Sequence, residues 1–433
     1  MAAAPTTTGA PAAAPATAKS SNPFYALRFR NFRLFFFGQM VSVAGTWMQI
    51  VAQQWLVFSL THSAAWLGIV TGASAIPSVA LTLYGGQIAD RLPRRRILLV
   101  TQTASMILAV ALAVLATNRF LSIQAWHIAL LAGLSGVVNA FNMPAQQSFV
   151  ADMVEDRKVL GNAIALNSIQ FNVARFVGPI AAGAVLVKIG AAGCFGVNAL
   201  SFVAVLVSLL LMRLPSAVTH ERKANAGTGT WEGLRYIRST PRVLRVLLLI
   251  GTASLLAWSS STLYPVFADR FRVGASGFTA MMAANGVGAA TAGLLVAAFG
   301  ERLPRRALVY GGAVAFAVAL LLFAHAPAWN LLLASLVLSG FCMIGFAVSA
   351  NTSVQNDVPD ALRGRVMAVY TLVFGGLFPL GGLEIGFLSE HGGGPVRAVT
   401  INAAVFLVVA VAVFAWSQLD RRPPVSEAAP APR

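Results

Sequence analysis

The chain is a succession of long apolar runs separated by short gaps that hold most of its charge and its turn formers. Twelve such runs can be read, at 32–60, 64–89, 97–117, 123–151, 160–187, 193–212, 243–268, 277–299, 306–325, 328–356, 362–389 and 397–417. Each is about 20 residues or longer, which at ~1.5 Å per helical residue crosses ~30 Å of hydrocarbon. The ten-residue alternating strands of a membrane barrel do not occur. Only helices and closed barrels satisfy their own backbone polar groups in lipid, so the pattern predicts an all-α polytopic membrane protein with twelve transmembrane helices.

Composition agrees: of 433 residues, 57% are hydrophobic and 10% charged, with a mean hydropathy of +0.74, which excludes a soluble chain. The net charge of +17 would suit nucleic acid on a soluble surface, but here the basic residues favour alternate gaps. With the amino terminus in the cytosol, 25 of the 31 Lys and Arg lie inside; Arg119, Lys188, Arg270, Arg272 and Arg397 lie outside, and Arg175 falls within a run. That asymmetry is the positive-inside pattern, so both termini are expected in the cytoplasm and nucleic acid is not a partner. Residues 1–21 lack the basic start and leucine-rich core of a signal peptide and read as a disordered cytosolic arm. Cys194 and Cys342 sit in separate runs without metal-ligand spacing, so no disulfide, metal or cofactor is expected.

The longest polar gap, 213–242, divides the runs six and six. The expected organisation is an arm (1–21), an N-terminal six-helix bundle (22–212), a central cytosolic linker (213–242), a C-terminal six-helix bundle (243–418) and a cytosolic tail (419–433). The linker ends in TWEGLRYIRSTPRVLR, where Trp231, Leu234, Tyr236 and Ile237 among basic residues predict a short interfacial helix. The halves echo each other: ADRLPRRR at 89–96 and GERLPRR at 300–306 occupy matching gaps. Asp152 with Glu155 and Asp357 with Asp360 do the same, each pair read as an acidic helix-start cap. The pattern is that of a duplicated six-helix unit, with its site between the halves near the bilayer midplane.

The run Gly86-Gln-Ile-Ala-Asp90-Arg91-Leu-Pro-Arg94-Arg95-Arg96 is similar to the signature between helices two and three of the major facilitator superfamily, with Pro93 replacing the usual glycine. Arg175-Phe-Val-Gly178-Pro179-Ile-Ala-Ala182-Gly183 resembles the Gly-Pro signature of its drug/proton antiporters, with Ala165, Ala174 and Ala182 where glycine is expected. Together with NPFYALRFRNFRLFFFGQMVS, Gly45-Thr-Trp47-Met-Gln49 and MPAQQSFVADMVEDRKVLGNAIALNS, residues 22–418 look most like the transmembrane secretion effector branch of bacterial exporters. The resemblance implies two pseudo-symmetric six-helix bundles in a bacterial cell inner membrane. It implies cavity-lining first and fourth helices in each half, a cytosolic gate at Gly86, Asp90, Arg91, Arg94 and Arg95, and an antiporter-like kink at Gly178, Pro179 and Gly183. The plainer reading of the gate residues is that the arginines anchor topology and Asp90 ends a helix.

Arg175 stands about 15 residues into its run, at a depth of about 22 Å. A cation there marks a pathway for an anionic or polar substrate, or else is a structural cation paired with carbonyls or with Glu384. Ser168 and Asn172 share its helical face. Glu384 is the only acid well inside a run, read either as a proton-coupling carboxyl or as a solvated group near the outer face. Gly38, Ser42, Gly45, Gln49 and Gln53 share one face of the first run, and Asn139, Asn142 and Gln146 one face of the fourth. They line a cavity or make interhelical hydrogen bonds of about 0.6 kcal/mol. Trp47 and Trp258 contact a lipophilic substrate or serve packing. The leading function is a secondary active exporter of a small amphipathic molecule, working by alternating access, with proton-coupled antiport as the drive. An importer of the same fold and a non-transporting membrane scaffold or sensor are the alternatives. No H-E-x-x-H, G-x-S-x-G or Walker sequence occurs, so neither an enzyme nor direct ATP drive is expected. The partners are a small-molecule substrate, protons and membrane lipid, and the chain is expected to act as a monomer.

Overall fold

The computed structural model describes residues 24–119, 121–154, 157–213, 226–300, 302 and 304–419. The predicted arm 1–21, Glu155, the side chains of Trp231 and Asp360 and the tail beyond 419 lie outside the described residues.

Every regular element among the described residues is helical. After a 3-10 turn at Tyr25–Arg28 come α1 (Arg30–Thr61), α2 (Ala64–Arg91), α3 (Arg94–Ala116), α4 (Ala125–Asp152) and α5 (Arg157–Leu211). There follow α6 (Ala226–Ser239), α7 (Pro241–Thr252), α8 (Tyr264–Arg270), α9 (Gly274–Phe299), α10 (Gly312–Ala324), α11 (Trp329–Asp357), α12 (Asp360–His391) and α13 (Pro395–Leu419). Among the described residues eleven helical stretches are long and apolar enough to cross a membrane, with α5 counted once.

At 55 residues, a straight α5 would be about 80 Å long, far beyond a bilayer. It breaks at Gly190, where φ is 72° and ψ is −175°, a conformation that suits glycine alone. The same stretch of α1 proves the fold-back: a Cβ on Gly178 would meet Trp47, and a Cβ on Gly45 would meet Ser201. Counting the two arms of α5 separately gives twelve stretches of that kind among the described residues, against the twelve apolar runs of the sequence. Large apolar side chains such as Val100, Leu200, Leu294 and Val408 stay exposed, the surface that lipid covers.

The internal repeat is visible as close helix crossings. A Cβ on Gly85 would fall 2.0 Å from the Ala140 carbonyl oxygen, and one on Gly136 1.9 Å from that of Ser74, so α2 and α4 touch backbone to backbone. The second half repeats this between α9 and α11, where a Cβ on Gly288 would run into the Val337 carbonyl oxygen and one on Gly340 into that of Asn285. Only a missing side chain permits such approach.

Three local expectations need correction. Asp152 and Asp357 end α4 and α11 instead of starting the next helices. An acid is unfavourable at a helix carboxyl end, and Asp152 is offset there by an ion pair with Arg94. Arg94–Arg96 belong to the first turn of α3 instead of the gap before it. The seventh run is not one continuous α-helix: between α7 and α8 lie a wide π-type stretch at Ala253–Ala257 and a 3-10 stretch at Trp258–Leu263. Ser254 Oγ donates to the Phe374 carbonyl at 2.6 Å and Ser259 Oγ to the Leu255 carbonyl at 2.7 Å. Such side-chain bonds to carbonyls accompany helix breaks in membranes. The short linker helix is present as α6, whose Tyr236 hydroxyl donates to the Asp357 carbonyl at 3.2 Å.

Candidate functional site: a guanidinium between two indoles

The helix ends at Arg30 and Leu419 define a near end of the molecule; the opposite end is the far end. The halves meet along α2 with α12 and along α5 with α9, and their closest approaches cluster at the far end. A Cβ on Gly68 would lie 2.6 Å from the Gly382 carbonyl oxygen, one on Gly386 2.7 Å from that of Ala64, and one on Gly183 3.0 Å from Thr279 Oγ1. Trp55 stacks on Phe278 at 5.9 Å between ring centroids. Glu390, at the end of α12, accepts from Ser63 Oγ at 2.6 Å and from the Ala65 N–H at 3.0 Å. Its carboxylate therefore sits on the amino end of α2, where free N–H groups and the helix dipole favour an anion.

At the near end the hydrogen bonds and ion pairs that Arg94, Arg95 and Arg365 make among the described residues lie within the N-terminal half, or between α12 and the linker helix α6. Arg94 pairs with Asp152 on α4, Arg95 donates to the Leu210 carbonyl at 3.0 Å, and Arg365 pairs with Glu232 on α6. Asp90 and Arg91 are exposed, and the Cβ position of Gly86 has no neighbour within 4 Å. The structure is thus knit together at its far end, while among the described residues no hydrogen bond or ion pair joins the expected gate residues to the other half.

Between these ends stands Arg175, half-buried on the first arm of α5. Its guanidinium carbon lies 5.4 Å from the Trp47 ring centroid on α1 and 5.5 Å from that of Trp258. Both are within cation–π range. One ring comes from each half, so the cation stands at their meeting point. Local sequence explains each placement. Gly178, one turn beyond Arg175, lets α1 close on α5: a Cβ there would be 2.5 Å from Trp47 Cβ. Trp258 projects from the junction of the π-type and 3-10 stretches, and Gly381 admits the Leu255 carbonyl beside that junction.

Outer aromatics extend the cluster. Phe171 meets Trp47 edge-on at 6.0 Å, Phe374 meets Trp258 edge-on at 4.6 Å, and Tyr370 stacks on Phe374 at 6.2 Å. Among the described residues Arg175 makes no hydrogen bond and no ion pair. Glu384 does not pair with it: that half-buried carboxylate accepts from Asn402 Nδ2 on α13 at 2.8 Å.

The other polar positions divide. Gln49 accepts from Asn198 Nδ2 on the second arm of α5 at 2.7 Å. Asn142 accepts from Thr101 at 3.0 Å and Gln102 at 3.3 Å on α3, and donates to Gln146 at 3.4 Å. Asn139 donates to Ser78 on α2 at 3.4 Å, and Asn172 to its own helix at Ser168 O, 2.8 Å. Gln53 is half-buried. Sequence reasoning missed two features: Glu390, which reads as a span-end acid beside a glycine-rich turn, and the helix break, whose only signal is the run Ser259-Ser260-Ser261-Thr262.

Comparison with known proteins follows the same lines. The family model described as transmembrane secretion effector matches residues 21–430. The chain is 28% identical over 391 residues to the multidrug efflux pump Tap of Mycolicibacterium fortuitum, covering 88% of this chain and 94% of that protein. It is 26% identical over 371 residues to the staphyloferrin A transporter of Staphylococcus aureus, covering 83% and 89%. It is 25% identical over 342 residues to the enterobactin exporter EntS of Escherichia coli O1:K1, covering 78% and 80%. Among solved structures, a bacterial homologue of the human lysosomal transporter Spinster, inward-facing and unoccupied, superposes with a TM-score of 0.68 at 17% identity, covering 94% of this chain and 99% of that one.

Proposed function

Since this chain belongs to the transmembrane secretion effector family, we propose that it is a secondary active exporter that moves a small amphipathic molecule out of the cell by alternating access. The observation that carries the proposal is Arg175, an intramembrane cation held by one tryptophan from each half. A cation at such depth is costly unless it serves a pathway, and a site touching both halves is where rocking of one against the other changes access. Efflux and export in the names of the relatives Tap and EntS support the outward direction.

In this reading residues 22–212 and 243–418 are the two bundles, and the near end faces the cytoplasm of a bacterial inner membrane. The excess of basic residues at near-end gaps supports that orientation. The far-end contacts then make this the inward-facing arrangement, with Glu390 on α2 as its outer closure. Asp90, Arg91, Arg94 and Arg95 around Gly86 form the cytosolic gate and engage when the far end opens. Gly178, Pro179 and Gly183 form the antiporter-like kink of α5, in which Gly178 fits closely against α1 and Gly183 against α9. Proton entry supplies the drive, with Glu384 as the coupling carboxyl. The protein works as a monomer without cofactor, and catalyses no reaction.

The test is accumulation in everted membrane vesicles, with and without a proton gradient, across a panel of siderophores, antibiotics and dyes. At least one compound is expected to accumulate in a gradient-dependent manner that vesicles lacking the protein do not show. Equal content in both vesicle types across the panel overturns the proposal.

A further inference from the structure

Resting on the exporter reading, the geometry points to a substrate that carries an anionic group, a carboxylate or an ionised phenol, attached to or beside an aromatic ring, with Arg175 as its anion-binding residue. A guanidinium uses its faces for cation–π contact and its edge for hydrogen bonds. At Arg175 the indoles of Trp47 and Trp258 take up the first capacity. The second is unused: no described residue accepts a hydrogen bond from it, and Glu384, the acid that stands well inside an apolar run, is occupied by Asn402. Five N–H donors in a fixed fork match a carboxylate bidentately, and two indoles leave that fork positioned before the ligand arrives.

The surroundings set the rest of the substrate. Phe171, Phe374 and Tyr370 continue the two indoles into a rim of rings. Such a rim offers edge-on and offset contacts to an aromatic group and little to a sugar or a polyamine. A permanently cationic substrate would meet Arg175 with like charge and no described acid beside it. The centre therefore selects against cations as well as for anions.

The experiment uses the full-length protein in lipid nanodiscs and a matched pair of probes, 2-naphthoate and 2-naphthamide, with equilibrium dialysis against empty nanodiscs to remove lipid partitioning. The wild type is expected to bind the anion about tenfold more tightly than the amide, as a charge-assisted bond to a pre-set guanidinium provides. Arg175→Gln is expected to bring the two affinities within about twofold, and Trp258→Leu to weaken both probes together while keeping their ratio. A wild-type ratio near one, a ratio that survives Arg175→Gln, or no binding of 2-naphthoate above empty nanodiscs overturns the inference. The vesicle assay separates this from the exporter reading. Gradient-driven accumulation of neutral or cationic compounds, undiminished by Arg175→Gln, leaves the exporter and removes the anion site. A preserved binding ratio with no accumulation of any compound does the reverse.

Discussion

Glu390 accepts a hydrogen bond from the Ser63 hydroxyl at 2.6 Å, joining residues 327 positions apart and fastening the end of α12 to the start of α2. The same carboxylate takes the Ala65 N–H, so one side chain caps a helix of the opposite half. Because Glu390 is exposed, water screens the interaction, and about 1 kcal/mol is the fitting scale, roughly a fivefold change in a two-state equilibrium. Glu390→Gln keeps an acceptor but loses the charge. In a background lacking Cys194 and Cys342, a cysteine at Thr71 is expected to react several-fold faster with an impermeant maleimide when Glu390→Gln is present. An unchanged rate would show that the contact does not hold the far end shut.

Asp90 and Asp152 are expected to behave differently. Asp152 is satisfied by Arg94 within its own half, so Asp152→Asn acts on folding, with a loss of about 1 kcal/mol or less for a partly exposed pair. Asp90 has no hydrogen bond or ion pair among the described residues, so Asp90→Asn is expected to leave the melting temperature unchanged while lowering export, if the proposed gate contact forms only in the other arrangement of the halves. Undiminished export by a normally inserted Asp90→Asn protein refutes the gate.

Gly136 and Gly340 test the duplication. Each faces a carbonyl oxygen that an added Cβ would approach to about 2 Å, in equivalent helix crossings of the two halves. Gly136→Ala and Gly340→Ala are each expected to destabilise by about 1–3 kcal/mol through overpacking, seen as lower thermal midpoints in detergent. A wild-type midpoint for either one contradicts the close crossing at that site.

Glu384→Gln preserves the acceptor that Asn402 requires and is expected to leave the fold intact. Since Glu384 bonds to α13 and not to Arg175, the proposed coupling proton would act through the contact of α12 with α13. Export by the variant is expected to lose its dependence on the proton gradient. Full dependence in Glu384→Gln vesicles removes that residue from the coupling.

The crossings were legible in the sequence because lipid demands about 20 apolar residues in a row, a constraint read residue by residue. Arg175 stood out for the same reason, as a charge inside such a run. Its partners did not: Trp47 and Trp258 lie in other helices, and which apolar faces meet is settled by packing between spans. Gln49, Asn139 and Asn142 were legible as polar faces, yet periodicity alone does not tell a cavity wall from a bond to a neighbouring helix, and the structure gives each of them such a bond. Asp152 misled because the same residue type that starts a helix also ends one when an arginine such as Arg94 stands beside it.

The most direct test of alternating access is a pair of distances measured by double electron–electron resonance in the background lacking Cys194 and Cys342. One spin-label pair is placed at the far end, on His62 and His391, and the other at the near end, on Leu92 and Arg363. Wild-type protein is expected to show a short far-end and a long near-end distance, and conditions that lengthen the first, Glu390→Gln or bound 2-naphthoate, are expected to shorten the second. Two distances that lengthen together, or a far-end distance that stays short under every condition, would contradict a single centre at Arg175 opened to each side in turn.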